Sequence, residues 1–200
     1  MIIKVCGIKE QSNYNQIADL GIDMIGLNFY KPSKRYIGSG TLSKRKEELR
    51  VGIFVQEEID VVIAKSKEHQ LDFVQLHGDE TPQFCEQISS EIPIIKVFRV
   101  DENFDWKITD EYQKSTYFLF DTYTKAYGGS GKKFDWTQIE KYKGSTPFLL
   151  SGGISPEDAT GIKEISHPLF KGIDINSKFE TEPGIKDIDL IQKFIEEINH

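Results

Sequence analysis

Two residues with titratable side chains stand directly after apolar runs in this sequence, Cys6 near the start of the chain and Asp121 beyond its middle. A thiol and a carboxyl group can both move protons during catalysis. A glycine-rich segment, residues 128–132, follows Asp121 closely. If the apolar runs are parallel strands of one barrel, their carboxyl ends are where such barrels hold their active sites. Cys6 and Asp121 are therefore the candidate acid–base pair.

Eight apolar runs rich in Ile, Val, Leu and Phe recur along the chain, with charged segments between them. Most of them are almost entirely apolar and do not alternate, which is typical of parallel strands that are covered on both faces. We predict strands at residues 2–5, 24–28, 51–55, 73–76, 94–98, 117–121, 147–150 and 170–174.

Segments between these runs have the spacing of helices. Residues 57–70 place their apolar side chains on one face. Ser155 followed by Pro156 and two acidic residues, and Thr81 followed by Pro82, are typical helix starts. Residues 184–198 carry isoleucines at steps of three and four, which predicts a closing helix against the barrel.

The alternation of strands and helices fits an α/β fold, either a (β/α)8 TIM barrel or an open doubly wound sheet. A nucleotide-binding open sheet is expected to carry Gly-x-Gly-x-x-Gly after its first strand, and here only Cys6-Gly7-Ile8 follows. This favours a compact (β/α)8 barrel over residues 1–200 as a single domain. Because the chain is shorter than the roughly 250 residues typical of that fold, its helices and loops must be short.

Composition excludes several classes of protein. The net charge of −7 argues against a nucleic-acid partner or a membrane surface, and no apolar run reaches the roughly 20 residues of a membrane helix. With two cysteines, Cys6 and Cys85, and no signal peptide, since the chain turns polar by Lys9, we expect a soluble cytoplasmic protein. The histidines and acidic residues lack metal-ligand spacing, so we expect no metal. The expected partner is a small molecule.

The residues at the predicted strand ends are polar and would converge on one face of a barrel. Backbone N–H groups near the glycines after the seventh strand, and near the small polar residues after the eighth, would suit an anion. A phosphorylated substrate is therefore implied. In chain order these strand-end residues are Cys6, Asn28, Gln56, His77, Arg99, Asp121, Ser151, Gly152, Gly153, Asp174, Asn176 and Ser177.

Each candidate also has a structural interpretation. Cys6 can be a small buried side chain, as we expect for Cys85, and Asp121 can cap a turn. The segment 128–131 can be a flexible connector, and it lacks the ending of a Walker loop. For His77, a hydrogen-bonded neutral role and a catalytic role both stay open.

The chain resembles the phosphoribosylanthranilate isomerase family of tryptophan biosynthesis over nearly its whole length. Together, and in this order, the matching strings are specific to the family. They are Lys4-Val5-Cys6-Gly7-Ile8-Lys9, Gly26-Leu27-Asn28-Phe29-Tyr30, Ser33-Lys34-Arg35-Tyr36, Val51-Gly52-Ile53-Phe54-Val55, Val74-Gln75-Leu76-His77-Gly78-Asp79-Glu80, residues 128–136, Leu150-Ser151-Gly152-Gly153-Ile154 and Pro183-Gly184-Ile185-Lys186-Asp187.

The resemblance implies an Amadori rearrangement without a cofactor. Asp121 would protonate the ribose ring oxygen, and Cys6 would remove the proton from the adjacent sugar carbon. These roles call for a raised pKa at Asp121 and a lowered pKa at Cys6. Arg35 would bind the anthranilate carboxylate. The family usually has Ser-Pro-Arg there, so Lys34 in place of proline is expected to loosen this loop.

The resemblance also implies the phosphate site and a closing loop. Gly152, Gly153, Asp174, Asn176 and Ser177 would contact substrate, with the phosphate near Gly153 and Asn176-Ser177. Residues 122–133, including the substrate contact Gly129, would fold over it.

Two alternatives to this function stay open. One alternative is a bifunctional isomerase that also takes the related histidine-pathway aminoaldose. It is disfavoured because that activity normally has an aspartate where Cys6 stands. The other is a catalytically silent barrel that binds a sugar phosphate or a partner enzyme. We expect a monomer, with a dimer as the alternative.

Overall fold

The computed structural model describes residues 1–45, 47–122 and 135–199. Eight parallel strands form a closed barrel in chain order. This confirms the (β/α)8 prediction over an open sheet. The strands are β1 (Ile2–Cys6), β2 (Met24–Asn28), β3 (Leu49–Phe54), β4 (Phe73–Leu76), β5 (Ile94–Val100), β6 (Tyr117–Thr122), β7 (Phe148–Leu150) and β8 (Phe170–Ile175).

The connections are short, as the chain length requires. Helices α1 to α5 span Gln11–Asp19, Ile59–Glu68, Pro82–Ser89, Ala159–Lys163 and Ile188–Asn199. In the described part of the chain, four 3-10 helices span Trp106–Tyr112, Trp136–Lys141, Pro156–Asp158 and Ser177–Phe179. Among the described residues between β2 and β3 there is no helix. The alternation is therefore less regular than the sequence suggested, because the described connection between β2 and β3 has no helix and the described helices that follow β5 and β6 are 3-10 helices.

The two predicted helix starts are confirmed by their side-chain caps. The Thr81 hydroxyl accepts a hydrogen bond from the backbone N–H of Phe84 at 3.2 Å. At Ser155 the backbone N–H donates to Asp158 Oδ2 at 2.7 Å, which is half of a capping box. Here the box begins a 3-10 turn that leads into α4.

The predicted helix over 184–198 is wrong at its beginning. Ile185–Lys186 forms strand β10, which pairs antiparallel with β9 (Glu180–Glu182), and α5 begins only at Ile188. The side chain of Asn13 accepts from the Lys186 backbone N–H at 2.8 Å and donates to its carbonyl at 3.0 Å. These bonds from a distant helix fix an extended backbone at a residue that local spacing assigns to a helix.

The barrel interior has an apolar lower part and a polar upper part. Side chains at alternate positions of each strand point inward, and the apolar inward cluster comprises Met24, Val51, Ile95, Val97, Leu119 and Leu149. The other face of each strand packs against the helices in a larger apolar layer. Inward side chains nearer the carboxyl ends are polar and buried, among them Lys4, Gln75 and Asp174. Within the described ranges, no helix is long and apolar enough to cross a membrane.

Candidate active site

One cavity opens at the carboxyl ends of the barrel strands. It holds about 770 Å³ of space, counted to the solvent at its mouth. This cavity brings together the predicted catalytic and substrate-binding residues that the structure describes: Cys6, Arg35, Asp121, Gly152, Gly153, Asp174, Asn176 and Ser177. Two of the polar strand-end residues, Gln56 and Arg99, do not line it. Asn28 and His77 also line it. The remaining predicted contact, Gly129, and most of the predicted closing loop lie outside the described residues.

Cys6 is the last residue of β1, and its side chain is 5% exposed. Gly26, its neighbour on β2, leaves room for the thiol, because a Cβ atom there would lie 2.9 Å from the Cys6 sulfur. Burial raises the pKa of Cys6, while the positive charges of Lys4 and Lys186 act in the opposite direction. The expected lowered pKa is therefore wrong, because desolvation outweighs the nearby cations.

Asp121 lies near the end of β6, with both carboxylate oxygens in contact with neighbours. The backbone N–H of Thr122 donates to Oδ1 at 2.8 Å, and His77 Nε2 lies 3.3 Å from Oδ2. On its other side, His77 Nδ1 lies 3.3 Å from the amide nitrogen of Gln75. When that amide donates, the ring proton is on Nε2, the nitrogen that faces Asp121. His77 is thus the ring in contact with the candidate acid.

Arg35 comes from the loop after β2 and is held by a carboxylate from β9. Its Nε and Nη2 donate to Glu180 in a bidentate pair, with Nη2 at 2.6 Å from Oε2. Lys186 Nζ donates to the other Glu180 oxygen at 2.7 Å and to the side chain of Asn176 at the same distance. Burial raises the pKa of Glu180, but the bonds from Arg35 and Lys186 more than offset this and hold it below its usual range. Nη1 of Arg35 takes no part in the bidentate pair.

The Arg35 loop is closed by hydrogen bonds in spite of Lys34 in the place of proline. The Ser33 hydroxyl accepts from the Arg35 backbone N–H at 3.1 Å, and the side-chain amide of Asn28 donates to the same hydroxyl at 3.3 Å. Tyr36 closes the turn with a backbone bond to the Ser33 carbonyl. The hydroxyl of Ser33 thus connects Arg35 to the end of β2.

The turn after β7 needs glycine. Gly152 and Gly153 have φ angles of +90° and +72°, in the left-handed region that side chains disfavour. A Cβ atom on Gly152 would also lie 2.8 Å from Asp121 Oδ1 and collide with Thr122. The glycine pair therefore lets the β7 turn pack directly against the candidate acid.

Comparison with known proteins agrees with this geometry. A model of the family "N-(5'-phosphoribosyl)anthranilate (PRA) isomerase" matches residues 3–197. The chain belongs to this family. A relative of that name in Parabacteroides distasonis is 46% identical, over all of this chain and 94% of its own length. A relative of the same name in Thermotoga maritima is 36% identical over 96% of each chain.

Solved structures of PRA isomerases have the same fold. The enzyme from Thermotoga maritima superimposes with a TM-score of 0.86 at 34% identity, over all of this chain and 99% of its own. Another PRA isomerase structure, in complex with reduced 1-(o-carboxyphenylamino)-1-deoxyribulose 5-phosphate, superimposes with a TM-score of 0.83 at 31% identity over the same shares. The resemblance seen in the sequence motifs is confirmed.

Several polar residues of this PRA isomerase family site were not found from the sequence. Lys4 lies within the first apolar run and Gln75 within the fourth. Lys186 lies in the segment that was interpreted as the start of the closing helix, and Glu180 precedes that segment. Their positions depend on contacts between distant parts of the chain. Lys4, Gln75 and Lys186 do fall inside motif strings shared with the family, which is a signal that could have found them.

Proposed function

We propose that this chain catalyses the rearrangement of N-(5'-phosphoribosyl)anthranilate to 1-(o-carboxyphenylamino)-1-deoxyribulose 5-phosphate in tryptophan biosynthesis, with Cys6 as the base, Asp121 as the acid and no cofactor. Family membership supports the reaction. The observation that carries the residue roles is that Cys6 and Asp121, three strands apart around a closed barrel, line one cavity. A sugar between them would have one group on each side.

The first step needs an acid. The protonated Asp121 carboxyl gives its proton to the ribose ring oxygen while the lone pair of the anilino nitrogen forms a C=N bond to C1'. The bond from C1' to the ring oxygen breaks, and the product is an open-chain iminium ion with a free hydroxyl group. The carboxylate left on Asp121 is then stabilised by the Thr122 N–H at 2.8 Å and by His77 at 3.3 Å.

The second step needs a base. The Cys6 thiolate takes the proton from C2', the C–H electrons form a C1'=C2' bond, and the iminium nitrogen becomes a neutral amine. The enol-amine then tautomerises to the ketone. Because burial raises the pKa of Cys6, the thiolate depends on nearby positive charge, which Lys4 and Lys186 supply.

Substrate binding uses the rest of the cavity. The guanidinium of Arg35 suits the anthranilate carboxylate, since Nη1 is left over from the bidentate pair with Glu180. The phosphate would lie at the turn of Gly152 and Gly153 and at Asn176-Ser177, where backbone N–H groups suit an anion. Asp174, which is paired with Lys4, also lines the cavity and would contact the sugar.

The test is isomerase turnover with N-(5'-phosphoribosyl)anthranilate generated in situ. We expect Cys6→Ala and Asp121→Asn each to lower kcat by about 10²-fold or more, the contribution expected of a general acid or base. Cys85→Ala is the matched control, because Cys85 is equally buried but lies in α3 outside the cavity. It should retain turnover at equal folded content.

Three other outcomes would contradict parts of the proposal. Turnover that survives Cys6→Ala and Asp121→Asn would mean that other residues are the catalytic pair. An inactive native chain that still binds the phosphorylated product would instead support a silent sugar-phosphate-binding barrel. Conversion of the histidine-pathway aminoaldose at a comparable rate would support the bifunctional alternative.

We further propose that the chain is one folding domain, a monomer, and cytoplasmic. A dimer is the alternative, because one solved structure at 31% identity is of monomers generated from the dimeric isomerase of Thermotoga maritima. Light scattering coupled to size-exclusion chromatography distinguishes the 22.9 kDa chain from twice that mass.

A further inference from the structure

Lys4 lies inside the barrel, directly below Cys6. Residues two apart on a strand point to the same face, so Lys4 and Cys6 both point inward from β1. The Lys4 side chain is fully buried. Its partner across the strand pair is Asp174, which is aligned with it in the β1–β8 register and lies 2.9 Å from its Nζ. A charged pair therefore forms the floor beneath the candidate base.

The two members of this pair hold each other, with Lys4 Nζ 2.9 Å from Asp174 Oδ1. In the described part of the chain, neither atom has a further hydrogen-bond partner of good geometry. Burying an ion pair costs free energy unless its remaining donors and acceptors are used. The ammonium group of Lys4 thus keeps N–H donors for a group above it, and the Cys6 sulfur is the side-chain group above it on β1 with which it interacts.

Four charged groups of the described elements act on Cys6. Lys4 comes from its own strand, Asp174 from β8, Lys186 from β10, and Arg35 from the loop after β2. Lys186 and Arg35 are both engaged by the Glu180 carboxylate, which compensates their charge. Lys4 is the cation on the floor of the cavity, and Asp174 opposes it.

We propose that Lys4 is a positioning residue for Cys6: its ammonium group, held against Asp174 inside the barrel, stabilises the Cys6 thiolate and sets the pH range in which the thiol can act as a base. The catalytic meaning of this inference rests on the proposed function. The effect of Lys4 on the thiol does not, because it exists without substrate.

The proposal predicts shifts of opposite sign for the two members of one ion pair. Removing the cation with Lys4→Met raises the pKa of Cys6, since the thiolate loses its stabilising charge. Removing the anion with Asp174→Asn lowers it, since the thiolate loses a repelling charge. A merely structural ion pair gives no such opposition, because both variants break the same contact.

The experiment is the pH dependence of Cys6 alkylation by iodoacetamide, followed by mass spectrometry of the Cys6 peptide. Only the thiolate reacts, so the midpoint of the rate profile reports its pKa. We expect Lys4→Met to move the midpoint up by about one unit or more, which slows alkylation about tenfold at a fixed pH below it. Asp174→Asn should move it down. Lys96→Met, which removes another buried lysine, should leave it unchanged.

Other results would overturn the proposal. A Lys4→Met midpoint equal to the native one, or shifts of the same sign in Lys4→Met and Asp174→Asn, would show that the pair is structural. If Lys4→Met does not fold, Asp174→Asn decides alone, because an unchanged or raised midpoint contradicts the proposal. The assay contains no substrate. If the two variants show the expected shifts but the native chain has no isomerase activity, the proposed function is refuted and this inference is kept. If the native chain is active but the variants show no such shifts, this inference is refuted and the proposed function is kept.

Discussion

The barrel wall separates two buried lysine–carboxylate pairs with nearly the same geometry. Inside the barrel, Lys4 Nζ lies 2.9 Å from Asp174. Outside it, Lys96 Nζ lies 2.8 Å from Glu80. Both lysine side chains are at least 97% buried, since their exposed fractions are 0% and 3%. Lys96 points outward because its neighbours on β5, Ile95 and Val97, belong to the inner cluster.

The two pairs differ in their hydrogen bonds. Glu80 accepts backbone N–H bonds from Gln56 at 2.9 Å and from Gly78 at 3.0 Å, and Lys96 Nζ also donates to the Gly78 carbonyl at 2.7 Å. The outer pair therefore holds Gln56 after β3 and Gly78 after β4 by hydrogen bonds to their backbones. In the inner pair, Lys4 Nζ and Asp174 Oδ1 contact each other but have no further hydrogen-bond partner of good geometry among the described residues, and the pair lies under a thiol. A buried ion pair whose hydrogen-bonding groups are all used is suited to stability. A buried ion pair that has hydrogen-bonding groups to spare beside a reactive side chain is suited to chemistry.

The largest expected effect is on stability, and it separates the two lysines. Lys96→Met should lower the free energy of unfolding by about 3–5 kcal/mol, because Glu80 is left as a buried carboxylate inside its network. Lys4→Met should cost less, because burial already raises the pKa of Asp174 and the orphaned carboxyl can take a proton. Urea denaturation of both variants at neutral pH measures the difference. Equal losses would contradict the distinction between the pairs.

A second pair of variants adds a methyl group at one glycine that faces the barrel interior and at one that faces the outer layer. Gly26→Ala places a methyl group 2.9 Å from the Cys6 sulfur, so we expect it to displace the thiol and lower kcat by about 10²-fold. Gly52→Ala is the control on β3, where the new methyl group would meet Leu71 and Phe54. It should reduce stability by about 1–3 kcal/mol and preserve kcat. Equal kcat in the two variants would place the reacting centre elsewhere.

Glu180→Gln tests the second charged cluster of the cavity, with a smaller expected effect. The amide cannot hold Arg35 through two charged bonds, so the guanidinium loses its orientation. We expect KM for N-(5'-phosphoribosyl)anthranilate to rise about tenfold, the equivalent of about 1.4 kcal/mol, with kcat less affected. Glu182→Gln, at an exposed position of the same strand, is the control. A lower KM in Glu180→Gln would show that Glu180 competes with substrate for Arg35.

The smallest expected effect is the pH dependence of stability that is caused by His69. His69 is buried against Phe29, with ring centroids 4.7 Å apart, and burial lowers its pKa from the usual value of 6.5. Its neutral form is therefore favoured by folding. The stabilising contribution is present above pH 6.5 and is lost as the pH falls through the lower folded-state pKa.

This loss should be well below the ceiling of about 1.4 kcal/mol per pH unit for one proton. We expect the urea midpoint to fall more steeply for the native chain than for His69→Leu as the pH is lowered from above 6.5 to below it. Parallel declines in the two proteins would remove His69 from the explanation.

The strands and the main site residues were predictable from the sequence for a physical reason. A parallel strand buried on both faces must be apolar almost throughout, so each strand appears as an apolar run, and the polar residue that ends the run marks the mouth of the barrel. Cys6 and Asp121 are found in this way. Their positions in family motifs then supply their expected roles.

The missed features depend on contacts that no local pattern contains. Glu180 reaches Arg35 across 145 residues, and Asn13 reaches Lys186 across 173. The latter contact turns a segment with helical spacing into a strand. Lys4 is visible as a charge in an apolar run, but its meaning depends on the register that places Asp174 beside it. The pKa of Cys6 likewise depends on burial that the sequence does not reveal.

The most direct test of the difference between the two lysine pairs is the pH dependence of kcat/KM for N-(5'-phosphoribosyl)anthranilate in the native chain, Lys4→Met and Lys96→Met. In the native chain, activity should rise with pH as Cys6 loses its proton. We predict that Lys4→Met moves this rise to higher pH by the same amount as its alkylation midpoint, while Lys96→Met keeps the native profile despite its lower stability. Identical profiles in all three proteins would contradict this distinction, because the inner pair would then be as structural as the outer one.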